Sequence, residues 1–298
     1  MLELEVSRIP FNDVPQFSKT DTDYATHPER FRKWIEYLPE YASFDAIIRR
    51  RQDADVQRDL LVDVLEKQYQ AIDEPTDHLG ILRQPGQFTI TTAHQPVLLT
   101  GPLYFIYKVC SAIHLADKLD QRYPDWGVHP VLVLGGEDHD FDEVNHLHLF
   151  GKSFTWESGQ TGAVGRMQTD DLLPVLETVR EVLGSSPFAG ELAEMISQAF
   201  RPGRPYGQAM QKFVISLFRH TRLIVLQMDE KALKGAFAPV IREELFDTVS
   251  HALISETQSA LEAAGYKPQA YLRDINLFYL HEGMRSRIVR EESGYFKV

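Results

Sequence analysis

A chain of 298 residues, 43% hydrophobic and 25% charged, carries enough apolar material for one large or two modest domains of ordinary globular composition. Its 43 acidic against 31 basic residues give a net charge of −12, which repels polyphosphate over most of the surface and argues against nucleic acid as a main partner. A single cysteine, Cys110, rules out an internal disulfide or a cysteine-based zinc site, no apolar run approaches the ~18 residues of a membrane span, and the acid-bearing start MLELEVSRIP lacks the apolar core of a signal peptide, so the expected location is cytoplasmic.

Residues 1–87 read as a mainly helical segment that packs on the core. His27-Pro28 opens a helix through about Tyr37, closed by Pro39. From Ser43 as N-cap, Ile47, Ile48, Leu60, Leu61, Val64, Leu65 and Tyr69 keep a helical spacing that Pro75 ends, with Arg49-Arg50-Arg51 on a solvated face. Phe88-Thr89-Ile90-Thr91-Thr92 then has the β-branched and aromatic content of a strand. It runs into the loop Ala93-His94-Gln95-Pro96 and a helix start at Thr100-Gly101-Pro102, where Thr100 suits the N-cap and proline loses no hydrogen bond.

That helix is expected over Pro102 to Asp120. Ile106, Val109, Cys110, Ile113, Ala116 and Leu119 form its apolar face, which makes Cys110 an inert core thiol, while Tyr104, Lys108 and Ser111 fall on another face. The continuous apolar run Pro130 to Gly136 is the mark of a strand buried on both sides of a parallel sheet, and with the preceding strand and helix it completes a βαβ unit. A flexible loop at Gly162–Arg166 and helices at about 171–183, 190–200 and 206–219 follow. Leu223 to Met228 is a further buried strand ending in Asp229, so residues 88–229 form an α/β core with a helical insertion. Residues 230–298 form a connecting region: two helical segments to about 264, stopped by Gly265, then a hairpin turning at His281-Glu282-Gly283, with Tyr295–Val298 reading as mid-strand.

The chemistry gathers at two loops. A strand that feeds a loop ending on a helix N-terminus aims free N–H groups and a positive dipole end at the loop's occupant, so an anion is favoured beside His94 and Gln95. The second apolar run ends in Glu137-Asp138-His139-Asp140, and charge placed off the C-terminal end of a buried strand lies where open α/β sheets bind ligands. Three readings of this acidic stretch stand side by side: a divalent-metal set, although the spacing fits no fixed metal motif; carboxylates that hold an ammonium group while one group acts as base; or loop capping. Asp142, Glu143, His146 and His148 read as capping or solvated residues, whereas clustering favours function for Glu137 to Asp140.

Together, HQPVLLTGPLYFIYK and the following EDHDFDEVNH resemble the paired signature of the bacillithiol biosynthesis cysteine-adding enzymes, the BshC family. DTDY at Tyr24, GKSFTW at 151–156, GAVGR at 162–166 and YLRDINLFYLHEG at 271–283 extend the resemblance along the whole chain. It implies a Rossmann-like parallel core like that of class I synthetases and nucleotidyltransferases, with a connecting insertion. It also implies a ligase that adds cysteine to the amine of glucosaminyl malate, with ATP (and magnesium) as the implied nucleotide. On that likeness His94 and Thr100-Gly101 stand at the first synthetase signature, which contacts phosphates and the activated carboxyl group. His94 and Lys108 would stabilise developing charge, with Gln95 and Tyr104 beside them; Asp138 and Asp140 would bind the amino group; and His139 or Glu137 would be the base. Arg166 or Arg273 would grip the malyl carboxylates, each being equally readable as a structural salt bridge. The family's chains run on past this length, with further core strands and a helical coiled coil, so activity and homodimerisation are expected to need that C-terminal region. The competing readings are a metal-dependent hydrolase built on the Asp/His cluster and a non-catalytic nucleotide-binding module.

Overall fold

The computed structural model describes residues 5–184 and 186–298. The first four residues, on which the reading of the N-terminal end partly rests, lie outside them. In chain order the helices and strands are α1 (Lys19–Thr26), α2 (Ser43–Gln52), α3 (Arg58–Ala71), β1 (Gln87–His94), α4 (Tyr104–Arg122), β2 (Gly127–Leu134), α5 (Phe141–Val144), β3 (His146–Leu149) and β4 (Lys152–Thr155). They continue with α6 (Leu173–Leu183), α7 (Ala189–Ala199), α8 (Tyr206–Leu217), β5 (Ile224–Gln227), α9 (Lys231–Ala236), α10 (Ala238–Asp247), α11 (Val249–Ala263), β6 (Phe278–His281) and β7 (Met284–Arg287). A last short antiparallel pair joins Val289–Arg290 to Phe296–Lys297.

Two compact units result. One contains residues 5–55 and Ile241–Asn276, the other Val56–Val240 and Leu277–Val298. The partition is discontinuous in sequence, with α3 in the unit of the sheet and α11 in that of α1 and α2.

In the larger unit β1, β2 and β5 form a parallel sheet in the order β1-β2-β5, so the α/β parallel core stands as expected. β2 is central because its apolar run can be covered from both sides. Val131 meets Ile224 and Leu226 beneath Val62, Leu65 and Tyr69 of α3; Leu132 and Leu134 turn the other way, into a second core with Phe105 and Val109 of α4 and Met210, Phe213 and Val214 of α8. Alternate residues of one strand thus feed opposite layers. Each fully buried leucine contributes about 2 kcal/mol of transfer free energy. The second core also holds Trp156, fully buried, which fixes β4 and the start of the 156–172 segment against α6 and α8.

The smaller unit is knit by aromatic rings. Phe31 lies 4.9 Å from the Tyr266 ring and 5.6 Å from that of Tyr24, Lys19 sits 4.0 Å over Tyr266, and Tyr266 donates a hydrogen bond to Asp23. Its far end is tied by Glu244, whose carboxylate accepts from Ser250 Oγ at 2.7 Å and from the Asn276 backbone at 2.8 Å.

Several expectations need correction. The helix from Pro28 to Tyr37 is only a 3-10 turn over Pro28–Phe31, since Phe31 and Trp34 are drawn to Tyr266; the helix of this region is α1, opened by a capping box between Ser18 and Asp21. The single span from Ser43 breaks at Asp53–Gln57 into α2 and α3, and Ser43 caps neither. α4 starts at Tyr104, and Thr100 is not its N-cap: Leu98–Thr100 form a separate turn, and no side chain caps the helix. Cys110 is exposed rather than buried, because the inward stripe of α4 is Phe105, Val109, Ala112, Ala116 and Leu119 and the next residue after Val109 is rotated about 100° from it. β3 and β4, unforeseen, form a hairpin closed by Phe150 and Gly151, both at positive φ, as a two-residue turn of the twist-matching kind requires. Three helices, not two, fill 230–264.

Candidate active site

β1 and β2 are paired in parallel up to His94 opposite Leu134, so the loops that follow leave the sheet side by side. The loop after β1 is tightly wound. Leu99, Thr100 and Gly101 take φ values of 46°, 74° and 54°, and a Cβ on Gly101 would sit 2.3 Å from Val97 Cγ1. Leu99 and Thr100 stand in a region that L-amino acids avoid and store strain, whereas Gly101 adopts it freely; the buried Val97, Leu98 and Thr100 hold the loop.

The histidine-bearing loop and the acidic segment meet. Gln95 Nε2 donates to Asp138 Oδ2 and to Glu143 Oε2, both at 2.7 Å, so one neutral amide separates two carboxylates. Arg285 of β7 approaches from the other side, donating to Asp138 Oδ1 at 3.2 Å and to His139 Nδ1 at 2.7 Å, and its guanidinium lies 3.9 Å over the Phe278 ring. Burial pushes the Asp138 carboxyl up, but donation from Gln95, from the His139 N–H and from Arg285 outweighs it and holds the group below its ordinary range. Glu137 responds differently: burial, which dominates, raises its proton affinity, and its Oε2 is buried without a hydrogen-bond partner.

His94 lies between a carbonyl and a hydroxyl. Its Nδ1 is 3.0 Å from Gln95 O, which can only accept, so the ring proton sits there and Nε2 accepts from Tyr104 Oη at 3.2 Å. Burial, reinforced by the charge of Lys108, lowers its pKa and keeps the imidazole neutral at pH 7. Lys108 itself spans from α4 to Ala93 O at 3.0 Å.

A cavity of about 620 Å³ opens over this loop, lined by His94, Gln95, Gly101, Tyr104 and, from the next segment, Glu143, His146 and His148. The last three are residues the sequence reading assigned to capping. His146 and His148 share a face because β3 is extended, with a side-chain period of two, and their rings are 5.6 Å apart. The open end of α4 borders the cavity through Pro102 and Tyr104, which preserves the anion-favouring dipole although Thr100 does not cap it.

Of the expected site residues, His94, Gln95, Gly101 and Tyr104 line this cavity, Asp138 and His139 are bound into its wall through Gln95 and Arg285, and Thr100 is buried beneath it. Asp140 is exposed at the start of α5. Arg166 is committed elsewhere: its Nε and Nη2 donate to the two oxygens of Asp229 at 2.6 and 2.9 Å. Arg273 belongs to the smaller unit and lines neither this cavity nor the second one described below. Arg285 was missed because an arginine in a hairpin carries no sequence signal; its partners are some 147 residues away. Among the described residues no group of three or more His, Cys, Asp or Glu side chains comes together so as to hold a metal ion.

A parallel sheet with helices on both faces and a polar cleft at the carboxyl ends of adjacent strands defines a Rossmann-like α/β domain. Residues 4–298 match the family model described as "Bacillithiol biosynthesis BshC, N-terminal Rossmann-like domain", and the chain belongs to the BshC family. Relatives named "Putative cysteine ligase BshC" include those of Cytophaga hutchinsonii, 34% identical over 98% of this chain and 54% of the relative, and Flavobacterium johnsoniae, 35% identical over 97% and 55%. That of Flavobacterium psychrophilum is 34% identical over 96% of this chain and 55% of its own length. The chain thus spans about half the length of these relatives. No helix among the described residues is long and apolar enough to cross a membrane.

Proposed function

We propose that this domain supplies the nucleotide- and amine-binding cleft of a cysteine ligase that joins the cysteine carboxyl group to the amine of glucosaminyl malate, with ATP activating the carboxyl. The observation that carries the reading is the cleft's opposed electrostatics. On one side are the dipole end of α4, neutral His94, Tyr104 and the two further histidines; on the other are Asp138 and Glu143, bridged by Gln95. The first side suits phosphate or an activated carboxyl group, the second an ammonium group.

In this reading Asp138 and Glu143 receive the amine. Deprotonation falls to Glu137 in preference to His139, because Arg285 occupies the His139 Nδ1 lone pair, whereas Glu137 Oε2 accepts no hydrogen bond and burial makes the carboxyl a stronger base. ATP is the nucleotide of this reading, and when bound it would supply the leaving group for carboxyl activation. Tyr104 Oη, which lines the cavity, would then turn its proton from His94 Nε2 to a phosphate oxygen, and Lys108, held on Ala93 O, would add positive charge behind it. The test is a chain of the full family length incubated with cysteine, glucosaminyl malate and ATP, with products read by mass spectrometry. The expected product is the cysteinyl amide, formed with nucleotide consumption and abolished by Asp138→Ala. Nucleotide binding with no cysteine-dependent turnover would instead identify a binding module.

A further inference from the structure

A second cavity, of about 270 Å³, opens at the carboxyl ends of β2 and β5 and lies outside the His94 cleft, sharing none of its lining residues. Its floor is backbone. Gly136 follows β2, Gly165 lies in the 162–166 loop and Gly207 in the first turn of α8; Gly165 N donates to Gly136 O at 2.7 Å. A Cβ on Gly165 would come within 2.9 Å of Gly136 Cα, and one on Gly207 within 3.0 Å of Gly165 O. The three segments therefore pack backbone on backbone.

Its walls are amides with unused acceptors. Gln211 is 0% exposed; its Nε2 donates to Val225 O at 2.8 Å, which fixes the amide's orientation and leaves Oε1 buried with no partner. Gln227 Nε2 donates to Gly207 O, and its Oε1 accepts no hydrogen bond. Gln208 makes no side-chain hydrogen bond among the described residues. The charged rim is internally compensated: Asp229 is held by Arg166 and Lys234, and the Glu230 carboxylate faces the Ala232 N–H. A buried carbonyl oxygen without a donor is unfavourable, so the site is built for a molecule that brings donors but no net charge.

We propose that this cavity is a second small-molecule site, one that takes a neutral, hydroxyl-bearing ligand of about monosaccharide size whose hydroxyl groups donate to Gln211 Oε1 and Gln227 Oε1. The amide walls match the alternating donors and acceptors of a sugar. The proposal is independent of the ligase reading, which concerns the other cavity.

The test is NMR titration of the 298-residue chain with glucose, N-acetylglucosamine and, as the anionic control, inorganic phosphate. The probes are the Gly136, Gly165 and Gly207 amides and the Gln211 side-chain amide. A neutral sugar is expected to shift these signals saturably, with a dissociation constant on the order of millimolar. Gln208→Trp, which fills the space from a half-buried position without breaking a hydrogen bond, should weaken binding about tenfold or more, with Gln208→Arg as a second filling variant. His94→Ala should leave it unchanged. The proposal is overturned if neither sugar saturates the signals, if phosphate moves them as strongly, or if His94→Ala removes binding that both Gln208 variants retain.

Discussion

His94 is held neutral by two causes that can be separated. Burial disfavours the imidazolium, and Lys108 adds repulsion. Because the folded-state pKa lies below the ordinary 6.5, the neutral ring stabilises the fold above that pH, and the contribution declines as pH falls through 6.5 toward the folded value. Lys108→Met removes only the second cause. The His94 ring resonance is therefore expected to titrate below 6.5 in the parent and at a higher midpoint in the variant; an unchanged midpoint would show that Lys108 is not felt at the ring. On the acidic wall, Arg285 does for Asp138 what Lys108 does for His94, favouring one charge state from a neighbouring element. Arg285→Gln should raise the Asp138 pKa, visible in a carboxyl carbon titration, because one of the groups that favour the carboxylate is lost. In the full-length ligase assay the same change should lower kcat on the order of 10- to 100-fold with little effect on KM for cysteine, as expected of a residue that positions rather than binds.

At the scale of elements, the loop after β1 is the most constrained piece of backbone in the larger unit. Gly101 at φ 54° and ψ −129° has no room for a methyl group against Val97. Gly101→Ala should therefore cost about 2–3 kcal/mol, read as a lower denaturation midpoint at unchanged slope. Strands and long helices were legible from the sequence because their patterns are local: the apolar run of β2, the period of α6, and the acids placed after a buried strand all survive in the structure. What was not legible depends on partners distant in sequence. Phe31 and Trp34 leave helical geometry to meet Tyr266, Arg285 finds Asp138 across the hairpin, and His146 and His148 reach the cavity only because Phe150 and Gly151 turn β3 back on β4. Thr100 shows the converse case, a good N-cap by residue type whose backbone is wound into the loop instead.

The sheet as a whole has two edges of opposite character. Along β5 the outward groups are sealed by side chains: Val225 N donates to Tyr69 Oη at 3.0 Å, Val225 O accepts from Gln211, and Gln68 pairs with both N and O of Gln227 at 2.9 and 3.0 Å, imitating a neighbouring strand. Along β1, Gly86 O and His94 O bond toward β2, so Thr89, Thr91 and Ala93 turn their backbone groups outward; among the described residues no strand pairs with them, and Lys108 takes only Ala93 O. A sheet sealed on one side and open on the other grows at the open side, and an unprotected edge associates with other chains. Hydrogen exchange should therefore find the Val225 and Gln227 amides protected and those of Thr89, Thr91 and Ala93 exchanging fast in dilute solution. Protection at β1 should rise with protein concentration, and Thr91→Lys, which sets a charge on the edge, should suppress both that rise and any self-association seen by light scattering. Protection of β1 equal to that of β5 at every concentration would mean that the edge is already covered within one chain. Gln68→Ala, by contrast, opens the sealed edge and should cost about 1–3 kcal/mol, since the Gln227 backbone groups lose both partners at once.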